Sequence, residues 1–380
     1  MDPVVIVGSG LAGYTVAREL RKLDRATPVV ILSRDDAGFY SKPMLSNALA
    51  SGKAAAEIAS ADARQMAEQL AAQIMAGTAV VAIDSASRTL QAGGAVIRYS
   101  KLVLALGADP ITLSLEGDAA TEVMQVNDLD AYARFRAAIA GKKTIALLGA
   151  GLIGCEFAND LATAGYGVHL IDPAPRPLVR LLPETAAERL QLALSAVGVV
   201  WHLGTTARAV SHAATGLRVD LADGTALLAD VALSAVGLRP RIQLAQQAGL
   251  KVNRGIVTDR LLQTSAEGIY ALGDCAEVDG QTLPYVLPLM QAARALAKTL
   301  AGTATRVLYP AMPVIVKTPA LPLVVCPPPA LPGTWKAQQD AHGIEARFED
   351  DAGKLLGFAL AGSATARKQA LTKQAPPVLG

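Results

Sequence analysis

The stretch Val4-Val-Ile-Val-Gly-Ser-Gly-Leu-Ala-Gly13 decides the fold of this chain. Its four leading apolar residues predict a short, fully buried parallel strand. Gly8, Gly10 and Gly13 then form G-x-G-x-x-G, which permits a tight turn, close approach of a pyrophosphate and close packing of a helix on the strand. An amphipathic helix follows, whose free N–H groups would bind the pyrophosphate. Alone, the triplet also fits a glycine-rich turn in any α/β protein, but this context favours a dinucleotide site.

The composition is that of a globular protein with two to three domains. The chain has 380 residues, of which 52% are hydrophobic and 18% charged, and a domain averages about 150 residues. A net charge of +2 is too small to indicate a nucleic-acid partner. The N-terminus enters a strand without the pattern of a signal peptide, and no uninterrupted apolar run of about 20 residues predicts a membrane span.

Three cysteines, Cys155, Cys275 and Cys326, are scattered along the chain. None belongs to a C-x-x-C or C-x4-C pair, so we expect each to be a small buried hydrophobe rather than half of a disulfide. This usage is typical of a reducing compartment, and we expect the protein in the cytoplasm.

The apolar stretch 28–32 predicts a second strand beside the first. A dinucleotide-binding protein commonly places a ribose-binding carboxylate just past this strand. Here Ser33 and Arg34 come first, and the acids Asp35 and Asp36 follow two or three residues late. The sequence therefore leaves open whether Asp35 or backbone groups hold this ribose.

A second fingerprint repeats the opening pattern. Residues 143–148 predict a strand, Gly149, Gly151 and Gly154 form another G-x-G-x-x-G, and a helix follows with similar apolar spacing. Two complete fingerprints are far more specific than one. The chain is therefore predicted to hold two dinucleotides, or one dinucleotide and a structural cousin of the site.

Asp172 indicates which nicotinamide cofactor the second site prefers. It ends the strand after the second fingerprint, where a carboxylate binds the free 2′-hydroxyl of NADH and repels the 2′-phosphate of NADPH. We therefore expect NADH to be preferred, although Arg176 and Arg180 lie near enough in sequence to weaken the preference.

The remaining elements are predicted from the same patterns. The Ala-rich stretch 53–77 predicts a helix, and 183–196 and 284–300 predict two more. Short strands are expected at 79–83, 88–91, 95–98, 199–203, 206–211, 216–221 and 225–228. Beyond Tyr309 the chain becomes Pro-rich, with strands expected at 312–317, 321–325, 343–349 and 353–360.

Three further motifs complete a recognisable order. Leu104-Ala-Leu-Gly107 ends a buried strand, Ser234-Ala-Val-Gly-Leu-Arg-Pro240 forms a crossover, and a strand at 264–274 ends in Gly-Asp274. Together with the two fingerprints, this order over roughly residues 1–305 resembles the two-dinucleotide flavoprotein reductases built on the glutathione-reductase plan. The resemblance implies an α/β fold with two Rossmann-like dinucleotide-binding domains, plus a small α+β C-terminal domain over the flavin edge.

The resemblance also implies how the chain divides. Residues 1–110 and 238–305 would form an FAD-binding domain that is split in sequence. Residues 111–237 would form the inserted NAD(H)-binding domain, and 306–380 the C-terminal domain. This last segment is short and lacks long interface elements, which favours a monomer.

Within this family, the chain is most similar to the branch whose members reduce rubredoxin, an acidic iron protein. The similarity lies in Tyr40-Ser-Lys-Pro-Met-Leu-Ser46, in residues 149–160 and 270–279, and in Pro313-Val-Ile-Val-Lys-Thr-Pro319. Relatives that reduce ferredoxins usually carry an aromatic Trp-Phe-Trp-Ser-Asp-Gln type of run where this chain has Val-Lys-Thr-Pro. The cysteine pairs of the disulfide reductases are also missing, so electrons must leave to an external acceptor.

The resemblance therefore implies hydride transfer from NADH to FAD and single-electron transport to rubredoxin, for a pathway such as alkane hydroxylation or oxygen detoxification. The alternative enzyme is an NADH-dependent reductase of a ferredoxin or of a small quinone-like acceptor. A flavoprotein that senses NADH without turnover is the third possibility.

Lys42 and Glu156 are predicted to form a buried pair beside flavin N5, since an unpaired buried charge is costly. The family often carries its lysine a few residues later, at the position of Asn47 here. Alternatively, Lys42 is solvated and Glu156 only caps the second glycine turn. A helix beginning between Pro284 and Leu289 would direct its positive end at the reduced flavin.

The cofactor-binding residues implied by the resemblance, with no metal ligand among them, form two sets. For FAD they are Gly8, Ser9, Gly10, Leu11, Ala12, Gly13, Ser33, Arg34, Asp35, Lys42, Pro43, Val81, Ala105, Leu106, Gly107, Arg134, Gly273, Asp274, Met290 and Lys317. For NAD(H) they are Gly149, Gly151, Leu152, Ile153, Gly154, Glu156, Asp172 and Gly237.

Overall fold

The computed structural model describes all 380 residues and contains eight α-helices. None of these helices combines the length and the apolarity needed to cross a membrane. In chain order they are α1 (Leu11–Leu23), α2 (Ala63–Leu70), α3 (Leu129–Ile139), α4 (Leu152–Thr163), α5 (Glu184–Ala196), α6 (Gln243–Gln247), α7 (Val286–Leu300) and α8 (Lys368–Thr372).

The opening strand Val4–Val7 lies at the centre of a parallel five-stranded sheet. Its four residues are buried, as a strand covered on both faces requires. The helices α1 and α7 pack against each other over this sheet. The strand order is Ile269–Ala271, Lys101–Leu104, Val4–Val7, Val29–Leu32 and Gln73–Met75, so a strand from late in the chain completes a sheet begun at the N-terminus.

The second fingerprint follows the carboxyl end of the central strand in a second parallel five-stranded sheet. Thr144–Leu148 is its central strand, and Asp230 accepts hydrogen bonds from the backbone N–H groups of Lys143 and Thr144 where that strand begins. The strand order is Met124–Gln125, Val231–Ser234, Thr144–Leu148, Gly167–Asp172 and Val199–Leu203.

Smaller sheets connect and flank these two layers. Ala108–Pro110 pairs antiparallel with Leu238–Pro240, so the chain leaves and re-enters the first layer side by side. Two antiparallel meanders occur where strands were predicted, at Val80–Asp84, Thr89–Ala92 and Ala95–Arg98, and at Ala207–His212, Leu217–Leu221 and Ala226–Ala229. Two further pairs join Phe39–Tyr40 to Ala59–Ala61 and Ile256–Thr258 to Ala276–Val278.

The C-terminal segment forms an antiparallel five-stranded sheet. Its order is Val314–Val316, Leu323–Cys326, Leu355–Gly362, Gly343–Glu349 and Thr334–Gln339. The last strand was not predicted, because its mostly exposed polar residues carry no alternating apolar signal. The helix α8 follows this sheet and lies near the mouth of the cleft described below.

The long helix predicted over 53–77 is wrong. Only α2 is an α-helix there, flanked by a 3-10 turn at Ala55–Ile58 and by short strands. Asp62 caps the start of α2 by accepting a hydrogen bond from Gln65 N at 2.7 Å, and Ala71 ends the helix in a left-handed conformation with φ of 45°. Local capping therefore limits an Ala-rich stretch to eight helical residues.

Candidate active site

A cleft of about 2220 Å³ runs between the two parallel sheets and the C-terminal sheet. Both glycine turns line it, as do the loop around Lys42, the start of α7 and residues 310–317. Residues from both predicted dinucleotide sites line this cleft, and most of the predicted cofactor-binding residues lie on its wall.

The first glycine turn leaves space in front of α1. A Cβ atom on Gly8 would lie 2.2 Å from the carbonyl oxygen of Ala105, and one on Gly13 would lie 1.9 Å from that of Gly8. A Cβ on Gly10 would meet nothing within 4 Å, and no side chain caps the helix there. Two glycines thus permit close packing, while the third borders an open cradle at a helix N-terminus that suits a diphosphate.

The second glycine turn repeats this arrangement at α4. A Cβ on Gly149 would lie 2.7 Å from the oxygen of Ala235, and one on Gly154 would lie 1.8 Å from that of Gly149. Gly151 again faces open space at an uncapped helix start. The structure therefore contains two equivalent anion cradles, one on each parallel sheet.

Asp35, the acid that comes late in sequence, is drawn back to the first turn. Its Oδ1 accepts hydrogen bonds from the Ser33 hydroxyl, from the Ser9 hydroxyl at 3.2 Å and from Ala37 N at 3.0 Å. Its Oδ2 has no partner within the chain, and Ser9, Ser33 and Asp35 all line the cleft. Although Asp35 comes later in the sequence than a ribose-binding acid usually does, its carboxylate still lies beside the first glycine turn.

Asp172 is anchored at the second turn through both carboxylate oxygens. Oδ2 accepts from Ala150 N at 2.6 Å and Oδ1 accepts from Ala174 N at 2.7 Å. Arg176 is engaged in an ion pair with Glu184, whereas Arg180 lies exposed on the cleft wall. The carboxylate is thus fixed beside the cradle of Gly151.

Glu156 is the centre of a buried polar cluster on the cleft wall. Its side chain is 2% exposed. Its carboxylate accepts two hydrogen bonds and forms one ion pair. The hydrogen bonds come from the backbone N of Lys317 at 2.9 Å and from the Ser46 hydroxyl at 2.5 Å, and the Lys317 ammonium Nζ forms the ion pair at 2.7 Å. The ammonium of Lys317 also bonds to the Ser46 oxygen at 3.0 Å and to the carbonyl of Pro43.

The predicted pair between Lys42 and Glu156 is therefore wrong. Glu156 already accepts hydrogen bonds from Ser46 and from the Lys317 backbone and pairs with the Lys317 ammonium, whereas Lys42 makes no ion pair. Lys42 instead lies on the cleft wall with Asp274. Burial lowers the pKa of the Lys42 ammonium, and the nearby charge of Asp274 opposes that shift.

Some predicted residues lie off the cleft wall. Gly13 and Gly154 are behind it, where they form the helix contacts described above. Val81 is 63% exposed, because successive strand residues alternate sides and Val80 takes the inward position. Arg134 is exposed on α3, and the remaining two, Gly273 and Met290, lie among residues packed against the core and do not line the cleft.

The other predicted residues all line the cleft, and their roles in binding remain predictions. They are Gly8, Ser9, Gly10, Leu11, Ala12, Ser33, Arg34, Asp35, Lys42, Pro43, Ala105, Leu106, Gly107, Asp274 and Lys317 on the first side, and Gly149, Gly151, Leu152, Ile153, Glu156, Asp172 and Gly237 on the second.

Sequence reasoning missed two polar groups on this wall. Ser46 ends the motif at 40–46, which predicts no role for it, yet its hydroxyl bridges Glu156 and Lys317. Arg241 bonds to Asp109 at 2.7 Å and to the carbonyl of Leu106 at 2.8 Å, and so ties the crossover to the first sheet. Neither contact has a local sequence signal, because the partners are more than 100 positions apart.

Comparison with known proteins identifies the class. Residues 2–297 match the family described as "Pyridine nucleotide-disulphide oxidoreductase", and residues 306–375 match "Rubredoxin binding C-terminal domain". The chain therefore belongs to the pyridine nucleotide-disulphide oxidoreductase family. This confirms the α/β fold and the resemblance inferred from the motifs.

Three relatives narrow the class further. The chain is 52% identical to a rubredoxin-NAD(+) reductase of Alcanivorax borkumensis over 100% of both chains. It is 50% identical to a rubredoxin-NAD(+) reductase of Acinetobacter baylyi, covering 98% of this chain and 97% of that one. The fold matches the crystal structure of a ferredoxin reductase for the CYP199A2 system from Rhodopseudomonas palustris with a TM-score of 0.89 and 26% identity, covering 99% and 96% of the two chains.

The chain is accordingly an oxidoreductase that uses FAD and NADH. The two cradles at Gly10 and Gly151 fit this pair of dinucleotides, since each offers open space at an uncapped helix N-terminus. A carboxylate lies beside each cradle, Asp35 at the first and Asp172 at the second.

Proposed function

We propose that the chain is a rubredoxin reductase, which takes hydride from NADH and passes electrons singly to rubredoxin. One NADH and two oxidised rubredoxins give NAD⁺, two reduced rubredoxins and one proton. FAD, when bound, accepts the hydride and gives up its two electrons one at a time. The C-terminal segment carries the proposal, because its match to a rubredoxin-binding domain coincides with residues that form the mouth of the cleft.

We assign FAD to the cradle at Gly10 and NADH to the cradle at Gly151. The start of α1 would bind the FAD diphosphate, and the free Oδ2 of Asp35 would accept a hydrogen bond from a ribose hydroxyl. Asp274 would hold the other end of the cofactor. At the second cradle, Asp172 would bind the adenosine ribose of NADH and orient the nicotinamide towards the flavin.

The start of α7 supports this placement of the flavin. Tyr285, Val286, Leu287 and Leu289 line the cleft, and α7 begins at Val286, within the predicted interval. A helix N-terminus carries a partial positive charge of about half an elementary charge. It would stabilise the negative charge that arrives with the hydride.

The mouth of the cleft has the character of a docking surface for an acidic protein. Val286, Leu287 and Ile315 are 39%, 48% and 55% exposed there. Lys368 and Lys373 of the α8 region also line the mouth, and neither 310–317 nor 368–377 contains an acidic residue. Exposed apolar side chains beside two lysines suit an acidic electron-transfer partner, because complementary charge speeds association.

The proposed domain division follows the predicted one, with 1–110 and 238–305 for FAD, 111–237 for NADH and 306–380 for the partner. The strand Ile269–Ala271 in the first sheet supports the split FAD domain. We place the enzyme in the cytoplasm, an assignment that the three free, buried cysteines favour.

Acceptor specificity tests the function. The FAD-loaded protein, mixed anaerobically with NADH, should lose its yellow colour and regain it on addition of rubredoxin. Rates measured with a [2Fe–2S] ferredoxin and with dioxygen provide the comparison. A much faster reoxidation by rubredoxin supports the proposal, whereas equally slow rates with all three acceptors would refute it, and a preference for ferredoxin would establish the alternative enzyme.

A further inference from the structure

Three segments that are distant in sequence meet at the carboxylate of Glu156. Ser46 comes from the first part of the chain, Glu156 from α4, and Lys317 from the C-terminal sheet region. All three line the cleft, Glu156 is 2% exposed and Ser46 is 5% exposed. The cluster therefore joins the three parts of the chain at the wall that the nicotinamide and the flavin would share.

The chemistry of the cluster fixes the direction of its hydrogen bonds. A serine hydroxyl has one proton to donate, and a carboxylate can only accept. Ser46 therefore donates to Glu156 at 2.5 Å and accepts from the Lys317 ammonium at 3.0 Å. The hydroxyl is thus the bridge that fits a charged lysine on one side and a charged carboxylate on the other.

The lysine needs this bridge more than the carboxylate does. Glu156 is held by the backbone N of Lys317 as well as by side chains, whereas the Lys317 ammonium ends a flexible four-carbon stem and its side chain is 28% exposed. Without the Ser46 oxygen, the ammonium would lose one of its three partners and keep the Pro43 carbonyl and the Glu156 carboxylate. It would then be held less tightly and could turn further towards solvent.

We propose that Ser46 is a positioning residue for the reduction of FAD by NADH. Its hydroxyl holds the Lys317 ammonium against the cleft wall, where a fixed positive charge stabilises the negative charge that a hydride brings. Ser46 acts through Lys317 and does not itself exchange a proton or an electron. This inference rests on the proposed placement of FAD and NADH, but not on the identity of the electron acceptor.

A double-mutant cycle tests the proposal. Ser46→Ala should slow the reduction of FAD by NADH roughly tenfold in stopped-flow measurements and lower the midpoint potential of the bound FAD. The same substitution in a Lys317→Met background should have no further effect on either quantity, because the group that Ser46 positions is gone. An equal loss in both backgrounds, or an unchanged rate and potential in the single variant, would overturn it.

Two controls separate positioning from folding. Ser51→Ala removes an exposed hydroxyl of the same loop that bonds only to the Ala48 carbonyl, and it should change neither rate nor potential. If the Ser46→Ala variant does not retain FAD, the variants Ser46→Thr and Ser46→Val, whose side chains are equal in size, provide the test. Only threonine keeps the hydroxyl, so FAD should be reduced by NADH faster in Ser46→Thr than in Ser46→Val. The reduction of FAD by NADH is followed without any electron acceptor. A failure of the reduced protein to transfer electrons to rubredoxin would therefore count against the proposed function alone.

Discussion

Asp172 Oδ2 accepts a hydrogen bond from Ala150 N at 2.6 Å, which ties the end of one strand to the glycine turn 22 positions earlier. The carboxylate is therefore held beside the dinucleotide cradle by the backbone itself. With NADH in the proposed cradle at Gly151, a negative charge so fixed would repel the 2′-phosphate of NADPH.

We expect Asp172→Asn to narrow the preference for NADH over NADPH by roughly tenfold or more in kcat/KM, because a charge repulsion is lost while the side chain keeps its shape. Arg180, free on the cleft wall, would then pair with the extra phosphate. Steady-state rates with both cofactors measure the ratio. Asp351→Asn in an exposed turn is the control, and an unchanged ratio in Asp172→Asn would contradict the assignment.

The glycines of the first turn make a paired prediction. Gly10→Ala should leave the stability of the apoprotein unchanged, because its Cβ would meet nothing within 4 Å, yet it should weaken FAD binding by filling the cradle. Gly13→Ala places a Cβ 1.9 Å from the Gly8 oxygen and should cost about 1–3 kcal/mol or more of folding free energy. Thermal unfolding of the apoprotein and FAD titration separate the two effects. Equal unfolding temperatures for both variants would contradict the assignment of Gly13 to helix packing and of Gly10 to FAD binding.

The part of the site that could be predicted from sequence is the part with local rules. Both glycine turns follow from the backbone demands of a strand–turn–helix unit, and Asp172 follows from its distance past the second turn. The partner of Glu156 could not be predicted, because Lys42 and Lys317 are both lysines of the right kind and only the packing of the C-terminal sheet decides between them. Lys317 is 161 positions from Glu156, and no periodicity spans that distance.

The same limit applies to the secondary structure. The strand Val4–Val7 was predictable because it is buried on both faces. The strand Thr334–Gln339 was not, because it is held by pairing with Gly343–Glu349 rather than by its own apolar residues. Tertiary pairing therefore supplied what the local pattern lacked.

The histidines of the second sheet predict a pH dependence of stability. His169 Nδ1 and His202 Nε2 lie 3.1 Å apart on adjacent strands. Burial lowers the pKa of both imidazoles from 6.5. The charge of His202 lowers the pKa of His169 further, whereas the charge of Asp223 partly offsets the shift of His202. Because the folded state holds its protons less tightly than the unfolded state, stability should be full above about pH 6.5 and fall as the pH drops below it.

Replacing both rings by glutamine should flatten that fall. Urea midpoints between about pH 5 and pH 7 measure it, and the double variant should lose less stability on acidification than the parent. The His342→Gln variant, in an exposed turn, is the control. A parent whose midpoint is flat over this range, or a double variant with the same slope, would contradict the pair as its source.

Lys368 and Lys373 carry the prediction for partner docking. Both line the mouth of the cleft beside the exposed Ile315, so reversing their charge should weaken association with an acidic rubredoxin. The variant Lys368→Glu/Lys373→Glu should lower kcat/KM for rubredoxin at least about tenfold at low salt and reduce its salt dependence. Reduction of FAD by NADH should not change, because neither lysine contacts the cluster at Glu156. The double variant Lys251→Glu/Lys354→Glu, at two exposed positions off the cleft wall, is the matched control because it changes the net charge by the same amount. An equal loss in that variant would show that net charge rather than this surface governs docking.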